Sequence, residues 1–168
     1  MAFTGKVHKV GAHIDTDAII PARFLVTTDT KKLGEACMEG LEPGWVARVQ
    51  EGDIIVADRN FGCGSSREHA ALVPMYLGIR GVIAKSFARI HIANLINSGI
   101  LPMTFENPDD YDRIAQEDML TISGIVEGMK AGTLTVTTAS GLTFNVNCSL
   151  TERQQAILLA GGRLNYTK

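Results

Sequence analysis

The sequence predicts an α/β fold: a layered domain with a central sheet, flanking helices and a group of short antiparallel strands, with residues 1–168 forming one domain. Three observations predict it. Between residues 53 and 105, short continuous apolar runs alternate with longer helix-like segments, the pattern of strands buried on both faces. Between 118 and 148 the pattern changes to short alternating runs rich in threonine and valine, which suits antiparallel strands with one wet face. Glycine, proline and helix-capping residues separate the segments. With 168 residues, 45% of them hydrophobic, the chain can bury one substantial core but not two large ones.

Each element follows from local chemistry. "FTGKVHKV", residues 3–10, alternates as a first strand, and "HIDTDAIIPARFLVTTDT" reads as an ordered loop with about one helical turn. Asp29 or Thr30 can start a short helix over "DTKKLGEACM". "DIIVA", 53–57, is a buried strand. The helix "SSREHAALVPMYLG" after it has a capping-box pattern, Ser65 with Glu68 three residues on, and Pro74 predicts a kink or break. A second buried strand covers 81–84. Ser86 is placed to cap the helix "FARIHIANLINS", which Gly99 closes. "ILPMTF" is a third strand, and "ENPDDYDRIA" a polar helix or turn. "DMLTISG", "GTLTVTTAS" and "LTFNVNC" supply the antiparallel strands. Thr151 and Gln154 form a second capping box, and Gly161–Gly162 stops the last helix.

Charged residues make up 20% of the chain and the net charge is −2, so electrostatics give no case for nucleic acid or an anionic membrane as partner. No apolar run reaches the ~18 residues that span a bilayer. "MAFTGKVHKVGAHIDTD" lacks the apolar core of a signal peptide. Cys37, Cys63 and Cys148 are an odd number and far apart, which argues against a disulfide framework and for a reducing, cytoplasmic location. With no Cys-x-x-Cys pair, the chain is expected to bind no metal or iron–sulfur cluster of its own.

The stretch "NFGCGSSREHA", 60–70, lies where a strand should give way to a helix. In open α/β sheets ligands gather outside the carboxyl ends of strands, and helix starts there favour anions. Gly62 and Gly64 permit close backbone approach, and Arg67 can grip a carboxylate with two parallel hydrogen bonds. A plainer reading shares these residues: Ser65 caps a helix, Arg67 pairs with a surface acid, and the glycines turn the chain. The stretch is neither a P-loop, lacking Gly-Lys-Ser/Thr, nor a Gly-x-Ser-x-Gly elbow. Cys63 reads as a small packing residue. Asp15 and Asp17 read as loop scaffold rather than metal ligands, and Asn94 and Asn97 as partners for buried backbone groups.

"NFGCGSSREHAA" followed by "GVIAKSFARIHIANLINSGILP" resembles the swivelling domain of the aconitase superfamily. "IDTDAIIPARFL" and "GGRLNY" are similar to the stand-alone small subunits of its two-subunit dehydratases. The resemblance covers most of the chain, with 105–150 adding little. It implies a β/β/α layered fold of the aconitase C-terminal type and a hydro-lyase that removes and re-adds water on a small hydroxy-dicarboxylate. It also implies a large-subunit partner, in a heterodimer or heterotetramer, that carries a [4Fe-4S] cluster acting as a Lewis acid. On this resemblance Ser65 is the base, Ser66 (through its amide) and Arg67 hold a substrate carboxylate, and Glu68 and His69 are structural.

In the same family the loop "PARFLVTTD", 21–29, meets the variable arm of the substrate, so Arg23, Leu25, Val26 and Thr27 are the specificity candidates. Val26 suits an isopropyl group and would leave a third carboxylate unpaired. That points to isopropylmalate and leucine biosynthesis, with homoaconitate, citramalate and dimethylmalate as alternatives. A non-catalytic binding or regulatory module is the reading from another class, and the intact trio Ser65, Ser66 and Arg67 argues against it.

Overall fold

The computed structural model describes residues 3–39, 41–42, 44–65 and 67–162. Strand β1 (Phe3–Lys9) leads into α1 (Thr16–Ile19), a 3-10 turn (Ala22–Phe24), α2 (Thr30–Glu35) and a second 3-10 turn (Trp45–Arg48). The alternating middle is β2 (Ile54–Ala57), α3 (His69–Tyr76), β3 (Gly81–Ala84), α4 (Arg89–Asn97) and β4 (Leu101–Phe105). Then come α5 (Asp110–Arg113), β5 (Met119–Ser123), α6 (Ile125–Ala131), β6 (Thr133–Thr138), β7 (Thr143–Asn147) and α7 (Glu152–Leu159).

The strands form one closed ring in the order β1-β2-β3-β4-β7-β6-β5, with β5 returning to β1. β1 to β4 run parallel; the joins through β5, β6 and β7 are antiparallel. This makes three layers: antiparallel strands, parallel strands, and helices covering the parallel half. Two apolar clusters fill the gaps. Val7, Ile54, Val56, Ile83, Met103, Ile122, Val136 and Val146 pack inside the ring. Ile55, Ala57, Val82 and Ala84, from the opposite faces of β2 and β3, pack under Leu33, Ala70, Val73 and Leu95 of the helices. Hence β2 and β3 are buried at every position, whereas β6 alternates exposed and buried. No described helix is long and apolar enough to cross a membrane.

The sequence placed most elements within a residue or two, and the differences have physical causes. Asp29 caps α2 by accepting from the Lys31 amide, and the Thr151–Gln154 capping box is present at α7. The Ser65–Glu68 box is not: α3 begins at His69, with Glu68 at the cap position and no side-chain cap. Ser86 also caps nothing, because its hydroxyl accepts from the Asn60 amide and α4 starts three residues later. Pro74 does not break α3, which continues to Tyr76. Helix α6 escaped the sequence reading because Gly128 interrupts an already short pattern. The glycine is there for contact: a Cβ would lie 2.1 Å from the Leu134 side chain.

At the end of the sheet away from the strand carboxyl termini, Asp53 forms a buried knot. Its carboxylate accepts from the Lys6 amide (3.2 Å), the Gln50 amide (2.8 Å) and His8 Nε2 (2.7 Å), with Trp45 edge-on to the His8 ring. Replacing Asp53 by alanine strands two amides and an imidazole in the core. We expect Asp53→Ala to lose about 3–5 kcal/mol in chemical denaturation; a loss within 1 kcal/mol of zero would mean the knot carries little.

Candidate active site

The carboxyl ends of β1, β2 and β3 do not fray into separate loops. The three segments that leave them, around 10–16, 58–65 and 85–89, continue side by side. Single bridges pair Asp15 with Cys63 and Phe61 with Phe87. The Gly62 amide donates to Ile14 O (2.7 Å), the Thr16 amide to Cys63 O (2.9 Å), and the Thr16 hydroxyl to Ser65 O (2.7 Å). On the other flank the Phe61 amide donates to Ser86 O and the Ala88 amide to Phe61 O. This cross-strapping holds 61–65 in a fixed, non-helical course with turns at Gly62 and Gly64, and it explains why Ser65 is not part of a helix.

Gly62 is required by its surroundings. It has φ +83°, and a Cβ there would sit 2.2 Å from the His91 ring. The Phe61 ring meets that imidazole edge-on at 5.4 Å. A cleft of about 200 Å³ opens beside this packing, lined by Thr16, Gly62, Gly64, Ser65, Arg67, Asn94 and the first turn of α4, Ala88 to His91.

Arg67 is held before any ligand arrives. Its Nη1 donates to Asp17 Oδ1 (3.1 Å) and Ile20 O (3.3 Å). Among the described residues Nε and Nη2 keep no partner, which leaves two donors side by side for a carboxylate. The hydrogen bond from Arg67, aided by one from the Ala22 amide, holds the Asp17 carboxyl below the usual carboxylate range. Asp15 caps α1 through the Ala18 amide. Both aspartates thus hydrogen-bond within their own loop and to Arg67, and no group of three His, Cys, Asp or Glu that could hold a metal occurs among the described residues.

The structure brings Ser65 and Arg67 to one cleft. Ser66 lies outside the described residues. Leu25, Val26 and Thr27 do not line the cleft, although their loop leaves from Ile20, where Arg67 is anchored. Val26 is 91% exposed. The Arg23 guanidinium lies 4.6 Å from the Phe24 ring centroid. Glu68 and His69 are exposed, and Cys63 is half-buried rather than fully packed. Asn94 lines the cleft instead of satisfying backbone, and neither it nor Asn97 makes a side-chain hydrogen bond among the described residues. Thr16, which the sequence groups with Asp15 and Asp17 as loop scaffold near the site, lines the cleft, and so do Arg89, Ile90 and His91, which the sequence did not single out. The rule that sites gather at strand carboxyl ends applies equally to the β3–α4 junction and would have found the last three.

A parallel edge that presents a serine, an arginine and a helix start over one cleft marks an α/β domain with a candidate ligand site at its strand carboxyl ends. Within that class the chain belongs to the aconitase C-terminal domain family, whose model matches residues 4–108. It is 51% identical to the 3-isopropylmalate dehydratase small subunit of Desulfovibrio desulfuricans, over all of this chain and 96% of that one. A methanogen homoaconitase small subunit from Methanocaldococcus jannaschii is 43% identical over the whole chain and 92% of its own length. The crystal structure of a 3-isopropylmalate dehydratase (leuD) from the same organism superposes with a TM-score of 0.87 at 39% identity, covering 99% of this chain and 93% of that one.

His91 gives the site a measurable signature. Burial pushes its imidazole pKa down to about 4, from an ordinary value of ~6.5 in the unfolded chain. The folded state therefore binds fewer protons, so its contribution to stability is complete above pH ~6.5 and is lost as pH falls towards 4. Denaturation titrations of wild type and His91→Phe should diverge across that window by about 3 kcal/mol, with wild type losing stability on acidification. Parallel curves would place the imidazole in a wetter setting.

Proposed function

We propose that this chain is the small subunit of a 3-isopropylmalate dehydratase, interconverting 2- and 3-isopropylmalate by loss and return of water in leucine biosynthesis. The observation that carries the reading is Ser65 and Arg67 facing one cleft, in a chain 51% identical from end to end to a small subunit of that name. Such enzymes work as two subunits, and the partner here is a large subunit bearing a [4Fe-4S] cluster. The cluster has no ligand set in this chain: Cys37 and Cys148 are buried, Cys63 stands apart from both in sequence, and burial pushes the Cys37 and Cys148 thiols up, away from thiolate.

This chain's own residues supply binding and the proton transfer. Arg67 presents Nε and Nη2 to a substrate carboxylate while Asp17 and Ile20 O hold Nη1. The Ser66 amide is assigned to the same carboxylate. Ser65 takes the proton from the carbon beside a carboxylate and returns it in the reverse direction; the C–H electron pair passes into the forming double bond as the neighbouring C–O bond breaks and the hydroxyl leaves with that bond's electrons, a departure the partner's cluster would assist as a Lewis acid. Ser65 is exposed in the chain alone, and a serine hydroxyl is too weak an acid to ionise in water. Covering by the large subunit therefore has to bring the Arg67 charge and hydrogen-bond donors to bear on the serine oxygen, because desolvation alone disfavours the ionised form.

Val26, the most exposed large apolar side chain among the described residues, and its neighbours Leu25 and Thr27 are assigned as the wall for the isopropyl group once the large subunit covers their loop. Burying that contact contributes about 1.5–3 kcal/mol. A carboxylate in the same place would be desolvated without a partner.

The chain alone should be inactive; mixed anaerobically with a cluster-loaded large subunit it should dehydrate isopropylmalate. Ser65→Ala should lower kcat by about 10³-fold or more with assembly intact. Near-normal turnover would remove Ser65 from the mechanism. Val26→Arg should shift kcat/KM towards a homoaconitate-type tricarboxylate by about tenfold or more. An unchanged substrate profile would mean that another segment sets specificity, as it would if the methanogen homoaconitase relative were the better guide.

A further inference from the structure

The end of the sheet opposite Ser65 carries a cavity that the dehydratase reading does not use. It holds about 390 Å³, against about 200 Å³ for the cleft at Ser65. Ligand pockets begin at roughly 300 Å³, so one small molecule fits. Turns frame the opening: Gly52 lies shortly before β2, Arg80 immediately before β3, and Gly99 between α4 and β4. The end of α7, Leu158 to Gly161, forms another wall. Gly99 sets how closely the ends of α4 and α7 approach. Its φ is +79°, and a Cβ there would lie 2.6 Å from Gly161 O.

Three features define what the cavity takes. Its floor is apolar: Leu101, Ile125 and Met129, each at most 6% exposed, belong to the core inside the ring, and the cavity reaches their outer surface. Leu159, 47% exposed, extends that surface to the rim. Arg80 is the one charged side chain in the lining among the described residues. Its Nη2 donates to Glu51 Oε1 (3.0 Å), an exposed pair of the kind that holds weakly. Nε and Nη1 make no hydrogen bond among the described residues, so the guanidinium keeps donors for a carboxylate. Finally, the carbonyls of Leu159, Ala160 and Gly161 accept no hydrogen bond from a described residue. A helix end of this kind carries partial negative charge and favours a cation.

We propose that this cavity binds a small aliphatic α-amino acid as its zwitterion. The carboxylate pairs with Arg80, the ammonium with the carbonyls that end α7, and the side chain lies against Leu101, Ile125 and Met129. Each charge of the ligand meets its opposite, and its apolar body covers an apolar floor. The same chemistry rejects a dicarboxylate, whose second carboxylate would face the negative end of α7 without a cation. The site shares no residue with the Ser65 cleft, so it does not depend on the dehydratase reading.

The test uses the full chain alone, with L-leucine as the probe at up to about 10 mM. Leucine should shift the amide resonances of Gly52, Arg80, Gly99 and Ala160 in 15N-correlated spectra. It should also raise the melting temperature with concentration, as a ligand of the folded state does. Arg80→Met keeps the side-chain stem and removes the guanidinium at an exposed position. It should weaken binding by about tenfold or more, with the spectrum away from the cavity unchanged. 4-Methylpentanoate, which lacks the ammonium, and isopentylamine, which lacks the carboxylate, should each bind about tenfold or more weaker than leucine. Malate should give no response at these amides. Absence of a leucine response there, or shifts confined to the Ser65 cleft, overturns the site. Unchanged binding in Arg80→Met, or 4-methylpentanoate or malate binding as tightly as leucine, overturns the zwitterion assignment. Activity of the reconstituted two-subunit enzyme decides the dehydratase reading separately.

Discussion

Everything at the functional edge depends on three loops being hydrogen-bonded to one another as if they were still strands. Loops at the carboxyl end of a parallel sheet ordinarily diverge. Here Ile14, Thr16, Cys63, Phe61, Ser86 and Ala88 continue the ladder beyond β1, β2 and β3. The result is a backbone platform with few free torsions, on which Ser65 and Arg67 occupy defined places without belonging to a helix. Rigid support of this kind is what positioning within fractions of an ångström demands.

The closed ring explains why such a platform can exist in so short a chain. The parallel strands are too apolar to face water on either side. Helices cover one face, and the antiparallel strands, brought round by the β5–β1 join, cover the other. The ring's interior is thus a second core, distinct from the one under α2, α3 and α4 and closed in part by α6. Asp53 ties down the far end of the same strands, so the two ends of β1 and β2 are fixed by different chemistry: a buried carboxylate at one, a backbone ladder at the other.

Much of this was legible in the sequence, for reasons particular to each segment. "GVIA" is apolar at every position and bounded by a turn, and β3 spans those four residues. Thr151 with Gln154, and Asp29, are caps whose hydrogen bonds are local, so sequence spacing suffices to find them. Ser65 with Glu68 has equally good spacing, yet Thr16 reaches the Ser65 carbonyl from 49 residues away and keeps the segment out of the helix. No local pattern contains that contact. Ring closure was hidden likewise, because the β1–β5 join pairs residues more than 100 positions apart. Ser65 and Arg67 stood out through the glycines around them. His91 did not, since a histidine in an apolar helix looks like core, and only the fold brings the start of its helix beside the cleft.

The join between β4 and β7 rests on two register pairs, whereas the other joins have three to five. A cylinder held this unevenly breathes along its thinnest seam. That seam borders β4, which contributes nothing to the Ser65 platform, so thermal opening of the ring can vent its interior without loosening the grip on a bound acid.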